Sequence, residues 1–117
     1  MPKLAKRKFL LRKNEILAIK EFHQRVSGLL GSRLKKIALY GSKAEGRATS
    51  ESDIDIFMLI KDSAANRRDQ ILDQAFEVNL EYGVYISPRI VTLSTYQHPV
   101  WRITPFLKGL RRKAISL

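Results

Sequence analysis

The chain has 117 residues, no cysteine and a formal net charge of +11 at pH 7. The absence of cysteine excludes disulfide bonds and thiolate metal sites, and no apolar run is long enough to cross a bilayer. With 44% hydrophobic and 28% charged residues, the composition is typical of a globular protein with a single core. We expect a basic arm over residues 1–13, without the apolar centre of a secretory signal, and a single cytoplasmic domain over residues 14–117.

The basic residues crowd both ends of the chain, whereas the acidic residues concentrate between Glu45 and Glu81. Such a field can attract nucleic acid, a nucleoside triphosphate or an acidic protein. Solvated tails that aid solubility are the plainer interpretation, and no aromatic-rich RNA-binding motif accompanies the charge. The clusters are Lys3, Lys6, Arg7, Lys8, Arg12 and Lys13 at the start, and Arg111, Arg112 and Lys113 at the end.

The first part of the domain predicts a helix followed by a strand. Asn14 is a suitable N-cap for a helix that runs to about Leu30, and Glu15 suits its first turn. Gly31 should end this helix, and residues 35–40 predict a buried strand that stops at the next glycine. Apolar residues at helical spacing should face the core: Ile19, Phe22, Val26 and Leu29 or Leu30.

The turn at Gly41 and Ser42 has the residue types of an anion cradle. Gly41 permits a close backbone approach, and the Ser42 hydroxyl can donate to a phosphate oxygen. A helical turn over residues 43–48 would direct its first N–H groups there, with Lys43 and Arg47 on one face. These four residues are candidate nucleotide-binding residues. The alternative is a plain strand-to-helix connection with solvated basic side chains.

Residues 53–60 begin with two carboxylates that alternate with apolar residues. In a strand, Asp53 and Asp55 would emerge from one face, roughly 6.5–7 Å apart. Like charges this close raise each other's pKa, and a divalent cation would offset the repulsion. Asp53 and Asp55 are therefore candidate metal ligands and catalytic residues, with Mg²⁺ or Mn²⁺ as cofactor. In the alternative, Asp53 caps a turn and Asp55 is a surface residue.

The second half of the chain predicts further helices and strands. A helix over residues 64–80 should bury an inner face formed by Ile71, Leu72, Ala75, Phe76 and Leu80. Residues 84–93 predict a strand, in which Pro88 indicates an edge position or a bulge. A loop over residues 94–99, helical structure over residues 100–113 and a short strand over residues 114–117 follow. These elements predict an α/β (α+β) fold with helices packed on a small mixed sheet.

The stretch from Gly41-Ser42 to Ser52-Asp53-Ile54-Asp55-Ile56 resembles the signature of the DNA polymerase beta-like nucleotidyltransferase superfamily. Ala44 and Gly46 fill its small-residue and glycine positions. Within that superfamily the chain is similar to the minimal nucleotidyltransferases (MNT), which are stand-alone domains of about this size. The similarity extends from Ile37 to the C-terminus, through Tyr82-Gly83-Val84-Tyr85-Ile86-Ser87-Pro88 and Pro105-Phe106-Leu107-Lys108-Gly109-Leu110.

The resemblance implies transfer of a nucleoside monophosphate from a nucleoside triphosphate, with ATP expected, to an acceptor hydroxyl in the presence of Mg²⁺. It also implies a helical HEPN-type partner protein, with the domain as the antitoxin of a toxin–antitoxin pair. The superfamily's third carboxylate is missing, because no Asp or Glu follows Glu81. Tyr85 and Ser87 occupy the strand positions that would hold it, and Glu77 or Glu81 is a candidate substitute. The alternatives are a non-catalytic nucleotide-binding or partner-inhibiting module and an RNA-binding protein.

Overall fold

The computed structural model describes residues 11–45 and 53–117. Helix α1 (Lys13–Leu30) and a 3₁₀ turn (Gly31–Arg33) lead into strand β1 (Leu34–Tyr40) and the short helix α2 (Ser42–Glu45). Strand β2 (Ile54–Ile60) and a 3₁₀ helix (Asp62–Arg67) precede helix α3 (Arg68–Tyr82) and strand β3 (Ile86–Thr92). The remaining described elements are α4 (Leu93–Gln97), α5 (Pro99–Arg102), α6 (Pro105–Lys113) and β4 (Ile115–Ser116).

Within the described residues the strands form one mixed sheet in the order β3-β2-β1-β4. Strand β1 pairs antiparallel with β2 and with β4, whereas β2 and β3 are parallel and are connected through α3. Parallel neighbours need such a crossover helix. Among these strands β3 is therefore an edge, and Pro88 lies in it, where a missing N–H is tolerated. The predicted mixed sheet with packed helices is confirmed.

Helices α1 and α3 cover one face of the sheet. Every second residue of β2 enters the main core on this face: Ile54, Ile56, Met58 and Ile60. Helix α1 contributes Ile19, Phe22 and Val26, all fully buried as the helical spacing predicts. Leu30 completes this row, and Leu29 is only partly buried.

The opposite face carries a smaller apolar cluster beneath the C-terminal helices. Phe57 and Leu59 of β2 pack there with Val91 of β3 and with Leu107 and Leu110 of α6. Phe57 also stacks against the rings of Tyr96, Trp101 and Phe106, with centroid distances of 6.2, 6.5 and 6.4 Å. Along β2 this cluster begins where the two carboxylates, Asp53 and Asp55, end.

Helix α3 buries a different stripe from the one that its sequence suggests. Ile71, Ala75 and Val78 face the core, so the predicted burial of Leu72, Phe76 and Leu80 is wrong. These three side chains are 38%, 64% and 71% exposed, respectively. Two apolar rows run side by side along this helix, and only one of them can face the sheet.

Two local predictions at element boundaries are also wrong. Helix α1 begins two residues earlier than predicted, with Arg12 as its N-cap, and the Asn14 amide instead donates to the Tyr82 carbonyl at 3.0 Å. Residues 93–97 form helix α4 rather than a loop. The Thr92 hydroxyl, just before α4, bonds the Thr95 hydroxyl at 3.1 Å and so stabilises its first turn.

Most of the predicted basic arm, residues 1–10, lies outside the described residues. Leu11, near the end of that arm, is 4% exposed and belongs to the main core. None of the helices in residues 11–45 and 53–117 has the length and apolar character needed to cross a lipid bilayer.

Candidate functional site

Asp53 and Asp55 lie at the start of β2, on the sheet face opposite to α1 and α3. Ile54 and Ile56 are fully buried in the main core. Because side chains alternate along a strand, the two carboxylates project together from the other face. Asp53 is exposed and Asp55 is half-buried, so the pair is reachable from solvent.

The Asp55 carboxyl is in a place that disfavours its negative charge. Burial raises its pKa, and the neighbouring Asp53 carboxylate raises this pKa further. A divalent cation would relieve both effects, and carboxylate oxygens are ligands that Mg²⁺ prefers. Asp53 and Asp55 therefore fit such an ion. Within the described part of the chain, including this site, no group of three or more His, Cys, Asp or Glu side chains could hold a metal.

Gly41 brings the predicted anion cradle directly against this pair. Its φ of +76° lies in the left-handed region that favours glycine. A Cβ atom on residue 41 would overlap Asp55 Oδ2 and lie 3.1 Å from Asp55 Cγ. Only glycine meets both demands, so the turn after β1 and the start of β2 form one site.

Helix α2 starts immediately after this glycine. The Ala44 and Glu45 N–H groups both donate to the Gly41 carbonyl at 3.1 Å. Ser42, at the first position of the helix, is half-buried beside the turn. Its backbone N–H precedes the first intrahelical donors, as expected at a helix start. The assignment of Gly41 and Ser42 to phosphate binding stays a prediction.

The Lys43 side chain is buried in an ion pair with helix α1. Its Nζ atom lies 2.8 Å from Glu15 Oε2, and the two side chains are 2% and 3% exposed. The other Glu15 oxygen accepts a hydrogen bond from the Arg12 N–H at 2.9 Å. Glu15 thus joins the start of α1 to the turn after β1. Lys43 therefore has a structural contact, and its role in phosphate binding stays a prediction. Arg47 and Gly46 lie outside the described residues.

Two neighbouring strands flank Asp55 with a tyrosine and a serine. Tyr40 of β1 and Ser87 of β3 are its register partners. Burial raises the pKa of Tyr40, the Asp55 carboxylate raises it as well, and Arg89 has the opposite effect. Ser87 is exposed and occupies the place beside Asp55 where the superfamily resemblance implies a third carboxylate.

The candidate substitutes for that carboxylate are on the wrong side of the sheet. Glu77 and Glu81 belong to α3, which packs on the face opposite to Asp55. Glu77 instead pairs with Arg25 of α1 at 3.1 Å. The prediction that one of them replaces the missing carboxylate is therefore wrong, because α3 crosses behind the sheet.

A cleft of about 580 Å³ lies against Tyr40 and Ser87, the register partners of Asp55, and extends along β3. Its lining includes Tyr40, Ser87, Arg89, Trp101, Thr95 and Arg68. The Arg89 guanidinium carbon is 4.3 Å from the centroid of the Phe106 ring, an arrangement that holds this cation over the C-terminal cluster. Ser87 is one of the two strand positions that the resemblance indicates, and the β2–β3 register places it beside Asp55. Arg89 could not be recognised from the sequence, since only this register places it beside Phe57.

Comparisons with known proteins show the family of this chain. The family model described as "Nucleotidyltransferase domain" matches residues 18–113. Two proteins of Methanocaldococcus jannaschii, each named "Putative protein adenylyltransferase", are 37% identical over 73 residues and 42% identical over 74 residues. These matches cover 62% and 63% of this chain, and 74% and 70% of the relatives.

A solved structure was also found, the "Crystal structure of a putative nucleotidyltransferase from Sulfolobus solfataricus". It is 14% identical, covers 85% of this chain and 75% of that chain, and has a TM-score of 0.49. The family match, in contrast, encloses both the glycine turn and the carboxylate pair. This chain therefore belongs to the nucleotidyltransferase domain family and is an enzyme of the nucleotidyltransferase class.

Proposed function

We propose that this nucleotidyltransferase transfers the adenylyl group of ATP to a hydroxyl group of a protein acceptor. The names of the two relatives motivate the choice of adenylyl donor and protein acceptor. The observation that carries the proposal is the contact between Gly41 and the Asp55 carboxylate, which joins a glycine turn to a carboxylate pair. In the reaction, the acceptor oxygen forms a bond to the α-phosphorus. The bond between the α-phosphorus and the oxygen that bridges the α- and β-phosphates breaks, and pyrophosphate leaves.

Asp53 and Asp55 would hold the divalent ion, because their two like charges share one strand face. When bound, Mg²⁺ or Mn²⁺ would neutralise phosphate charge and polarise the phosphoryl group. The close contact with the Gly41 backbone would hold the Asp55 carboxylate in position. The hydroxyl proton would pass to water, since Ser87 rather than a third carboxylate stands beside Asp55.

Ser42 and the turn around it would contact the phosphates that leave. Ser42 follows directly after the glycine that contacts Asp55, so its hydroxyl is a candidate donor, and Gly41 permits a close approach of a phosphate to the backbone. Lys43 contributes by fastening this turn to Glu15 at 2.8 Å. A turn held by a buried ion pair loses little conformational freedom when a nucleotide binds.

A labelling experiment tests the reaction. The protein is incubated with Mg²⁺, a cell lysate as the source of acceptor proteins, and ATP labelled in either the α- or the γ-phosphate. Label that depends on the added protein should enter only from α-labelled ATP, and Asp53→Asn or Asp55→Asn should lower the rate of this transfer by at least about 10²-fold. Asp69→Asn on the exposed face of α3 is the matched control. Transfer that survives Asp55→Asn unchanged would contradict the proposal.

One observation favours a second candidate, a module that binds nucleotide and inhibits a partner without turnover. The register partner of Asp55 on β3 is Ser87, so the described site has two carboxylates rather than three. A tight complex with a partner, with no metal-dependent consumption of ATP, would distinguish this candidate from the enzyme. A HEPN-type partner, a toxin–antitoxin role and nucleic-acid binding stay predictions.

A further inference from the structure

The outer edge of β3 has a small, defined set of backbone groups that face away from the sheet. The Ile54 N–H donates to the Tyr85 carbonyl at 2.8 Å, so the backbone of Tyr85 faces β2. Since these groups alternate along a strand, Ser87 and Arg89 also face β2, whereas Ile86, Pro88 and Ile90 face outward. Outward-facing groups on an edge strand can pair with another chain.

One end of this edge is already closed by α3. The Ile86 N–H donates to Asn79 Oδ1 at 2.7 Å, and Asn79 Nδ2 donates to the Ile86 carbonyl at 3.2 Å. Pro88 has no N–H and presents only its carbonyl. Between Ile86 and the end of the strand at Thr92, the outward groups include the Pro88 carbonyl and both backbone groups of Ile90, which suit a segment of only a few residues.

Helix α3 overhangs the same edge with apolar side chains. Arg68, Leu72, Phe76 and Asn79 recur at helical spacing and share one face of α3. Asn79 reaches the edge at Ile86, and Arg68 lines the cleft together with Pro88 and Ile90. Leu72 and Phe76 lie between these two residues and are 38% and 64% exposed. A strand added beside β3 would cover them.

The other side of the cleft is formed by the short helices after β3. Thr95 of α4 and Trp101 of α5 line it. A strand added beside β3 would thus have apolar or aromatic side chains on both of its faces. The cleft volume of about 580 Å³ leaves room for several side chains.

The positive charge of the cleft determines which kind of added strand it would favour. Arg68 and Arg89 are both exposed within it, in a chain with a net charge of +11. An acidic segment would be attracted. The edge of a second copy would bring the same arginines together, and like charges in contact disfavour that pairing.

We infer that the β3 edge binds the acceptor of the transfer reaction, an extended acidic polypeptide segment that adds to the sheet as a further strand. This inference rests on the proposed function and names the acceptor's binding site. Neighbouring strands are about 4.8 Å apart. A residue beside Ser87 on the added strand therefore lies about two strand spacings from Asp55, with only the small Ser87 side chain between them.

The chain has a single tryptophan, Trp101, and its position in the cleft provides a binding signal that does not require catalysis. The probe is a capped nine-residue peptide in which glutamate and valine alternate around a central tyrosine. It should change the Trp101 fluorescence on binding. N-methylation of alternate peptide amides, which removes strand hydrogen bonds, should weaken binding at least about tenfold, as should replacement of glutamate by lysine.

Variants of exposed residues locate the site on the protein. Phe76→Ser and Arg68→Glu should each weaken peptide binding about tenfold, and neither should unfold the protein because both positions are exposed. Leu17→Ser on α1, which is 44% exposed, and Arg112→Glu on α6 are matched controls that should bind like the unmodified protein.

The inference is overturned if no acidic peptide of the set binds, if N-methylation has no effect, or if Phe76→Ser binds like Leu17→Ser. Binding of a single-stranded oligonucleotide in place of the peptide would also overturn it. The proposed function is tested separately on the same samples. If the unmodified protein binds the peptide but transfers no α-label, the proposed enzymatic function is contradicted. If Arg68→Glu and Phe76→Ser transfer α-label to protein as well as the unmodified protein does, only the docking edge is contradicted.

Discussion

The Asp55 carboxylate lies against the backbone of Gly41 so closely that residue 41 has no room for a side chain. This contact joins residues that are 14 positions apart in the sequence. Because β1 and β2 pair antiparallel with Tyr40 opposite Asp55, the glycine that follows Tyr40 is held beside the carboxylate. The position of the Asp55 carboxylate therefore depends directly on the turn.

Replacing Gly41 by alanine should disturb this contact as well as the backbone. Gly83 has a similar φ of +66° but no heavy atom within 4 Å of an added Cβ, so Gly83→Ala is the matched control. The left-handed conformation should cost about 1–2 kcal/mol in either variant. Gly41→Ala should lose roughly 1–3 kcal/mol more from the overlap with Asp55. Urea unfolding measures both losses, and equal values would contradict the contact.

The raised pKa of Asp55 predicts how stability depends on pH in the absence of metal. The folded state binds this proton more tightly than the unfolded chain, because burial and Asp53 disfavour the charge. The resulting stabilisation is complete below the unfolded pKa and is lost as pH rises through the raised folded pKa. Asp55→Asn should therefore melt at a higher temperature than the unmodified protein at neutral pH.

Addition of Mg²⁺ should reverse this order, since only the unmodified protein retains both carboxylates. Thermal unfolding with and without a chelator measures both effects. Asp69→Asn on α3 should leave both melting curves unchanged. A metal-free Asp55→Asn variant that is less stable than the unmodified protein at neutral pH would show that the carboxylate charge is not disfavoured.

The buried ion pair between Lys43 and Glu15 predicts a large effect of a single substitution. Glu15→Ala would leave the Lys43 charge buried without this partner, at a cost of about 3–5 kcal/mol. The double variant Glu15→Leu/Lys43→Met should recover most of that loss, because an apolar pair of similar size has no charge to desolvate. Denaturant unfolding of Glu15→Leu, Lys43→Met and the double variant measures the coupling, and strictly additive losses would rule it out.

Replacing Ser87, the neighbour of Asp55, by aspartate should increase the affinity of the site for a divalent metal ion. Ser87→Asp would place a third carboxylate next to Asp55 across the β2–β3 register. It should lower the melting temperature without metal, through like-charge repulsion, and strengthen Mn²⁺ binding about tenfold or more. Ser87→Asn is the isosteric control. Equal Mn²⁺ affinities of the two variants would indicate that residue 87 does not reach the ion.

The carboxylate pair could be predicted from the sequence because its pattern is local. Asp53 and Asp55 alternate with Ile54 and Ile56, so in a strand the carboxylates lie on one face and the buried isoleucines on the other. This arrangement can be predicted without knowledge of the fold. Helix α3 shows where local patterns fail. Its sequence has two adjacent apolar rows, and the sheet that decides between them is distant in sequence.

Other parts of the site could not be predicted because they depend on strand register. Arg89 follows the carboxylate pair by more than thirty residues and reaches this region only through the parallel pairing of β2 with β3. The sequence left Tyr85 and Ser87 as alternatives, and the same pairing selects Ser87 as the neighbour of Asp55. The burial of Lys43 depends likewise on the packing of α1 against the turn, since its partner, Glu15, precedes it by a helix and a strand. A basic residue in a glycine-rich motif gives no local sign of such a partner.

The side chain of Asn79 and the ring of Pro88 also limit how copies of this protein can aggregate. An uncapped edge strand allows one molecule to template the next, and the repetition of that step builds fibrils. Here an amide from α3 occupies the Ile86 end, and a proline removes a donor two residues further along. Replacing both residues should therefore increase the tendency of the protein to polymerise.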